Sequence, residues 1–270
     1  MALKIGFTAE FGGETSGIEY ALQKDCAAPR SSVVQVHFPA RNMTLAYYND
    51  KFDLHCGDIV YVDGKLEGLR GHVVDVSYSF KIKLSDYKRV IAVADTQVKG
   101  QFFSAGSHFV TFDREALPGG KAITWFKAPA KEGDEFVSGY DDATFMLNKL
   151  SGMKVTPAVA ERGHEYYIES RVKYLSLDGA RGYAIVEGGS IYEVEFEYHD
   201  GEIGKLTCSC FCSDNCKHEV AAMMQLEETL SLIEESYSDE YSHGGYFAAV
   251  EKGTLFSFAI GSKGTGSFTL

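Results

Sequence analysis

The chain has 270 residues, 45% of them apolar, and a net charge of −12, enough apolar material for a sizeable core in two compact units joined by a linker. Met1 to Glu14 holds no apolar core of signal-peptide length, and no apolar run reaches the ~18 residues a membrane span needs. A cytoplasmic protein without a membrane segment is therefore expected. The charge is uneven: residues 1–130 carry 15 Lys and Arg against 14 Asp and Glu, residues 131–270 carry 11 against 24. An acidic C-terminal half opposes binding to a phosphate backbone, which rests on Lys and Arg.

Residues 1–31 mix Gly, Ser, Ala and charge with no sustained period, and a loosely held N-terminus is expected there, with Cys26 isolated and inert. From Ser32 the period becomes two. Val33–Phe38, Thr44–Tyr48, Asp58–Val62, Gly68–Val76 and Arg89–Ala94 are β-branched and aromatic between turn residues, a rhythm of short strands that suggests a small barrel. The run Gly57–Val73 resembles the KOW motif of SH3-like barrels, its spaced glycines serving tight turns.

Lys81, Lys83, Lys88 and Arg89 lie near Tyr78, Phe80 and Tyr87. Basic residues among aromatics can hold single-stranded nucleic acid by charge and stacking. The plainer expectation is a strand over Lys81–Leu84 with solvated lysines, because Lys81-Ile82-Lys83-Leu84 alternates. Strand-like texture continues through Phe102, Phe109, Ile123 and Trp125, ending the β-rich domain at 126. Residues 127–139 read as a linker, and Asp141 or Asp142 as the cap of a helix over Ala143–Leu150 stopped by Gly152. Pro157 fits the first turn of a further helix.

The most specific chemistry lies in Leu206–His218, where four of the six cysteines and a histidine crowd together. Thiolates and imidazole at this density are what a tetrahedral Zn²⁺ requires. In a strand, i and i+2 share a face, so Cys208 and Cys210 can aim at one ion. Cys216 and His218 converge only if Cys216 stays in the loop and His218 falls in the first helical turn, since two residues along a helix turn side chains about 200° apart. Cys212 remains an alternative to Cys210. A redox pair is disfavoured because there is no C-x-x-C, and nothing marks the chain as secreted and disulfide-bonded.

This run resembles a SWIM-type zinc finger, whose pattern is C-x-C, a spacer, then C-x-H on a strand–strand–helix scaffold. Ala160–Tyr167 is similar to the family's lead-in helix and Val172–Tyr198 to its strands. The resemblance implies Cys208, Cys210, Cys216 and His218 as ligands of one structural zinc ion, in a family taken to bind protein or DNA. The spacer here is five residues, short for the family, and contains Cys212.

Beyond the cluster, Met223, Leu226, Leu230 and Ile233 form one helical stripe, expected to pack on the hairpin that supplies Cys208 and Cys210. Glu234–His243 reads as an acidic connector. Phe247–Phe256 echoes Tyr183–Tyr192 and reads as a hairpin, and Gly261–Ser267 as a tail. Neither G-x-S-x-G nor H-E-x-x-H occurs.

The expected architecture is α+β: an SH3-like β-barrel-type domain over 32–126, a zinc domain of SWIM type over 140–243, and a C-terminal hairpin and tail over 244–270. The expected function is a non-enzymatic module that docks a protein partner. The alternative is a DNA- or RNA-binding protein using the KOW-like barrel with Lys81, Lys83, Lys88 and Arg89; an enzyme with unrecognised chemistry in the N-terminal half is a third possibility.

Overall fold

The computed structural model describes residues 4–6, 29–130, 137–140, 142–210 and 212–260. The expectations for most of the N-terminus up to residue 28, for Cys26 and for the Gly261–Ser267 tail lie outside these residues. The chain divides into two compact units between Ala94 and Asp95, with the first strand, β1 (Lys4–Gly6), belonging to the second unit.

The first unit contains β2 (Ser32–Phe38), β3 (Met43–Asn49), β4 (Ile59–Val62), β5 (Gly71–Ser77) and β6 (Val90–Val93). They form one antiparallel sheet in the order β3-β2-β5-β4-β6. Alternation fixes its register: along β2 every second residue is buried, and Val34, Val36 and Phe38 meet Tyr47, Val60, Val73 and Val90 in one core. Gly71 admits no side chain, because a Cβ there would stand 2.2 Å from Val36 Cγ1. Gly57, Gly64 and Gly68 have φ of 94°, 90° and 82°, the turn conformations expected of the glycines in this run. No closed barrel forms among the described residues. Lys81–Leu84 is not a strand: Leu84 is 52% exposed, so the alternating pattern has no core to face, and Leu84–Asp86 makes a 3₁₀ turn instead.

The second unit is built on a nine-stranded sheet. Its further strands are β7 (Gln101–Ala105), β8 (His108–Thr111), β9 (Phe145–Met146), β10 (Val172–Asp178), β11 (Arg181–Glu187), β12 (Ile191–His199), β13 (Glu202–Cys208) and β14 (Tyr246–Glu251). Their order is β1-β7-β8-β14-β10-β11-β12-β13-β9, antiparallel throughout. This corrects several expectations. β7 and β8 pair into this sheet rather than into a β-rich domain ending at 126, and the division falls at Ala94. The segment Phe247–Phe256 is no hairpin: β14 is a central strand between β8 and β10, followed by a helical turn. The expected helix over 143–150 is β9 at the sheet edge, pairing with Glu202 and Ile203, followed by a 3₁₀ turn over Leu150–Gly152. Trp125 lies in helical rather than extended chain, after α1 (Gly119–Ala122), fully buried with its Nε1–H donating to Asp95 O at 2.8 Å.

One sheet face is covered by α3 (Lys217–Ser236), with α2 (Pro157–Ile168) packed against it; α4 (Ser238–Ser242) and α5 (Lys252–Leu255) are short. Pro157 opens α2 and the Thr156 side chain caps it by accepting from Val159 N–H. α3 has 20 residues, a length of about 30 Å, enough to cross the sheet from β13 to β7. Its stripe of Met223, Leu226 and Ile233 packs with Leu175, Val186, Val194 and Phe196. Gly163 lets α2 close on α3, since a Cβ there would meet Val220 Cβ at 2.5 Å.

His108 in β8 is completely buried. Its Nε2–H donates to Val172 O at 2.8 Å and Nδ1 accepts from the Ser107 hydroxyl at 2.9 Å. Burial pushes its pKa down to about 4 despite the bond to Val172. The unfolded chain takes up a proton near the ordinary value of 6.5 that the folded chain refuses, so stability is lost as pH falls from about 6.5 toward 4, by on the order of 3 kcal/mol. Denaturant midpoints measured from pH 7 down to 4 should therefore fall more steeply in the wild type than in His108→Gln. Equal slopes would mean that His108 is not buried neutral.

Candidate metal centre

β12 and β13 form a hairpin whose second strand ends at Cys208, and α3 begins after Cys216. The chain between them returns on itself, pinned by a reciprocal pair: Ser209 N–H donates to Glu193 O at 3.0 Å and Glu193 N–H to Ser209 Oγ at 3.0 Å. Cys210 thus sits in a turn beyond β13, not on the strand with Cys208, and is delivered by this pinned turn. Cys216 is the helix N-cap in extended conformation (φ −111°, ψ 170°), with His218 in the first turn, the one arrangement in which the two side chains converge.

The donor atoms of Cys208, Cys210, Cys216 and His218 all lie within 4.8 Å of one another. His218 Nδ1 is 3.7 Å from Cys208 Sγ and 3.6 Å from Cys216 Sγ. With metal–sulfur and metal–nitrogen bonds of about 2.3 and 2.05 Å, the nitrogen–sulfur edge of a tetrahedron is ~3.6 Å and the sulfur–sulfur edge ~3.8 Å. The two nitrogen–sulfur distances match such a site, and the four donors are close enough together to hold a metal ion. Cys212 is exposed and outside the group, although its thiol hydrogen-bonds Cys210. All the described cysteines are free.

The electrostatics match this arrangement. Cys208 donates its thiol proton toward Cys216, which holds Cys216 down to about 4 and drives Cys208 far above the ordinary thiol range; burial pushes Cys210 up to about 12. Only one of the three sulfurs readily carries a charge, whereas a divalent cation would deprotonate them all. The His218 ring stacks on Tyr192 with centroids 3.9 Å apart, and Tyr166 lies tilted against it at 5.6 Å. Gly188 closes over the far edge: a Cβ there would meet Tyr192, the Tyr166 hydroxyl and His218 Nε2 at 3.0, 3.2 and 3.4 Å. Nε2 is buried and has no hydrogen-bond partner.

Glu219 completes the helix start. Its Oε2 accepts from Cys216 N–H at 2.6 Å and from Asn215 Nδ2 at 3.2 Å, while Asn215 Oδ1 accepts from Lys154 N–H at 3.2 Å. Cys216-x-x-Glu219 is a capping box with a thiol in the place of a hydroxyl. Sequence reasoning missed Glu219, although that spacing signals it. Tyr192, Tyr166 and Gly188 reach the site from other elements and carry no local signal.

The basic patch is divided in the structure. Lys81, Lys83 and Lys88 are exposed. Arg89 is tied down, its guanidinium paired with the Asp50 carboxylate and 5.1 Å over the Tyr48 ring, and its backbone N–H donating to Asp63 Oδ1 at 2.7 Å. Tyr48 and Phe80 meet edge to face at 6.1 Å, and Arg30 covers Tyr78 at 4.7 Å. No helix among the described residues is long and apolar enough to cross a membrane. Compared with known proteins, the chain matches no family model, no curated protein and no solved structure.

Burial raises the Glu219 pKa to about 7 from an ordinary 4.5. The stability this group contributes is therefore present below pH 4.5 and lost as pH rises through about 7, where the folded chain must hold a desolvated carboxylate. Glu219→Gln keeps the cap without the charge, and Glu219→Ala loses the cap at a cost of about 1 kcal/mol. Melting temperatures at pH 8 should rank Gln at or above wild type, with Ala lowest; Ala equal to wild type would remove the capping role.

Proposed function

We propose that Cys208, Cys210, Cys216 and His218 bind one structural Zn²⁺, and that the unit they staple is a non-enzymatic interaction module of SWIM type that docks a protein partner. The observation that carries this reading is the convergence of three sulfurs and one imidazole nitrogen near tetrahedral spacing. Soft thiolates with imidazole favour zinc over hard cations, and four protein ligands leave no position for a reacting water. Three thiolates, a neutral imidazole and the ion sum to one negative charge, which the N-terminus of α3 and Lys217 offset. Lys217 Nζ is held 4.5 Å over the Tyr166 ring, beside the site. The β12–β13 hairpin leading into α3, with α2, β10 and β11 upstream, supports the SWIM reading through its element order.

Structural zinc supplies folding free energy on the order of 10 kcal/mol in small domains. Native mass spectrometry of protein made in reducing cytosol should show one zinc per chain. Cys208→Ser, Cys210→Ser, Cys216→Ser and His218→Ala should each lose the metal and unfold the second unit while β2–β6 stay folded. Cys212→Ser should retain both. A chain bare of metal, or full metal content in any of the four ligand variants, would count against the assignment.

The second reading is a single-stranded nucleic-acid binder of SH3-like barrel type. It is supported by the Tyr48–Phe80 ring pair beside three exposed lysines and by Tyr48 N–H donating to Lys88 O at 2.9 Å, where the edges of the β2–β6 sheet approach. On this reading Lys83→Glu with Lys88→Glu abolishes a gel shift with single-stranded RNA or DNA. An unchanged shift, or none from the wild type, sinks it.

A further inference from the structure

One sulfur in the metal loop is surplus to the metal group. Cys208, Cys210, Cys216 and His218 supply four donors, the number a closed tetrahedral site takes. Cys212 stands outside them and is exposed. It is nevertheless held against one of the ligands: its backbone N–H donates to the Cys210 sulfur, and the two thiols are hydrogen-bonded to each other. Cys210 therefore faces two ways, toward Cys216 inside the group and toward Cys212 outside it. Access is graded in the same direction, with Cys216 buried, Cys210 half-buried and Cys212 open to solvent. Cys212 also lines a cleft of about 810 Å³ between the start of α2 and the metal loop, so a small reagent meets this sulfur first. Cys56, likewise exposed, belongs to the first unit, and its thiol donates to Val74 O at 3.5 Å. It is a natural control, an exposed thiol bonded to a carbonyl rather than to a ligand sulfur.

We propose that Cys212 is an oxidation site, and that its reaction with a hydroperoxide disables the metal centre by drawing Cys210 into a disulfide. The inference rests on the reading of the four donors as a zinc site. In the first step the Cys212 sulfur attacks one oxygen of hydrogen peroxide. The O–O bond breaks, the sulfur becomes a sulfenic acid, and the other oxygen leaves as water with the thiol proton. In the second step the Cys210 thiolate attacks the sulfenic sulfur. An S–S bond forms, the S–O bond breaks and hydroxide leaves, so the two sulfurs have lost two electrons and the peroxide has taken them. Because the thiolate is the metal ligand, the donor group falls to two sulfurs and an imidazole. A bridge between residues two apart closes a small, strained loop, and strained disulfides are readily reduced. An external thiol then restores both sulfurs. Such a C-x-C pair differs in task from C-x-x-C: it passes no electrons to a substrate and only removes or returns a ligand.

The test treats full-length, zinc-loaded wild type, Cys212→Ser, Cys212→Ala and Cys56→Ser with hydrogen peroxide. Released zinc is read with a chromogenic chelator, and disulfides are mapped by mass spectrometry after the remaining thiols are alkylated. Wild type and Cys56→Ser should lose their zinc as a Cys210–Cys212 disulfide appears, and should regain it when dithiothreitol and zinc are added. Both Cys212 variants should release zinc about tenfold more slowly or less, since oxidation then has to begin at a less accessible sulfur. Equal release from wild type and the Cys212 variants, a disulfide that joins two ligands without Cys212, or zinc retained after Cys212 is oxidised overturns the proposal. Cys212 variants that start without zinc would make Cys212 a ligand and overturn it as well. A wild type bare of zinc before peroxide is added sinks the metal assignment and this inference with it; one that carries zinc and keeps it through oxidation sinks this inference alone.

Discussion

Three sulfurs and an imidazole nitrogen within 4.8 Å of one another impose the constraint on which the second unit depends. Such a group is not a comfortable piece of protein interior. The sulfurs cannot all ionise in each other's company, and Cys208 and Cys216 are already forced to share a proton. A divalent cation removes the conflict by converting mutual repulsion into shared attraction. The geometry that permits this is specific: one sulfur at the end of β13, one in a turn pinned to β12, one at the cap of α3 and the nitrogen a turn further on. Fixing those points fixes where α3 starts and which face it turns to the sheet. Met223, Leu226 and Ile233 then fall over β10–β12 without further instruction.

Around that centre the charges divide by role. Glu219, buried beside the ligand group, serves the backbone by accepting the N–H of Cys216, and burial opposes its ionisation. Lys217, between Cys216 and His218, turns its ammonium onto the Tyr166 ring. The aromatic rings do the work a carboxylate partner often does in metal sites: Tyr192 and Tyr166 orient the imidazole by contact, while its Nε2 has no acceptor. Orientation by stacking is less directional than a hydrogen bond, and the absence of space at Gly188 compensates by closing the remaining direction.

Legibility followed range. The ligand run, the α3 stripe and Pro157 at the start of α2 are local patterns that spacing places, whereas the strands over Val172–Tyr198 follow from the resemblance to SWIM-type fingers. Partners were not legible. Phe247–Phe256 reads as a hairpin, because nothing local shows the central place of β14 between β8 and β10, which depends on partners more than sixty residues away in sequence. Phe102 and Phe109 read as continuing the first set of strands, because alternation does not reveal which sheet a strand joins. Trp125 has the aromatic flavour of a strand, but its indole N–H needed Asp95 O and the chain coiled to deliver it. The site shows the same division. Cys208, Cys216 and His218 could be argued from periodicity, whereas Cys210 depends on a turn pinned by Ser209 and Glu193, and Tyr192 on a neighbouring strand's register.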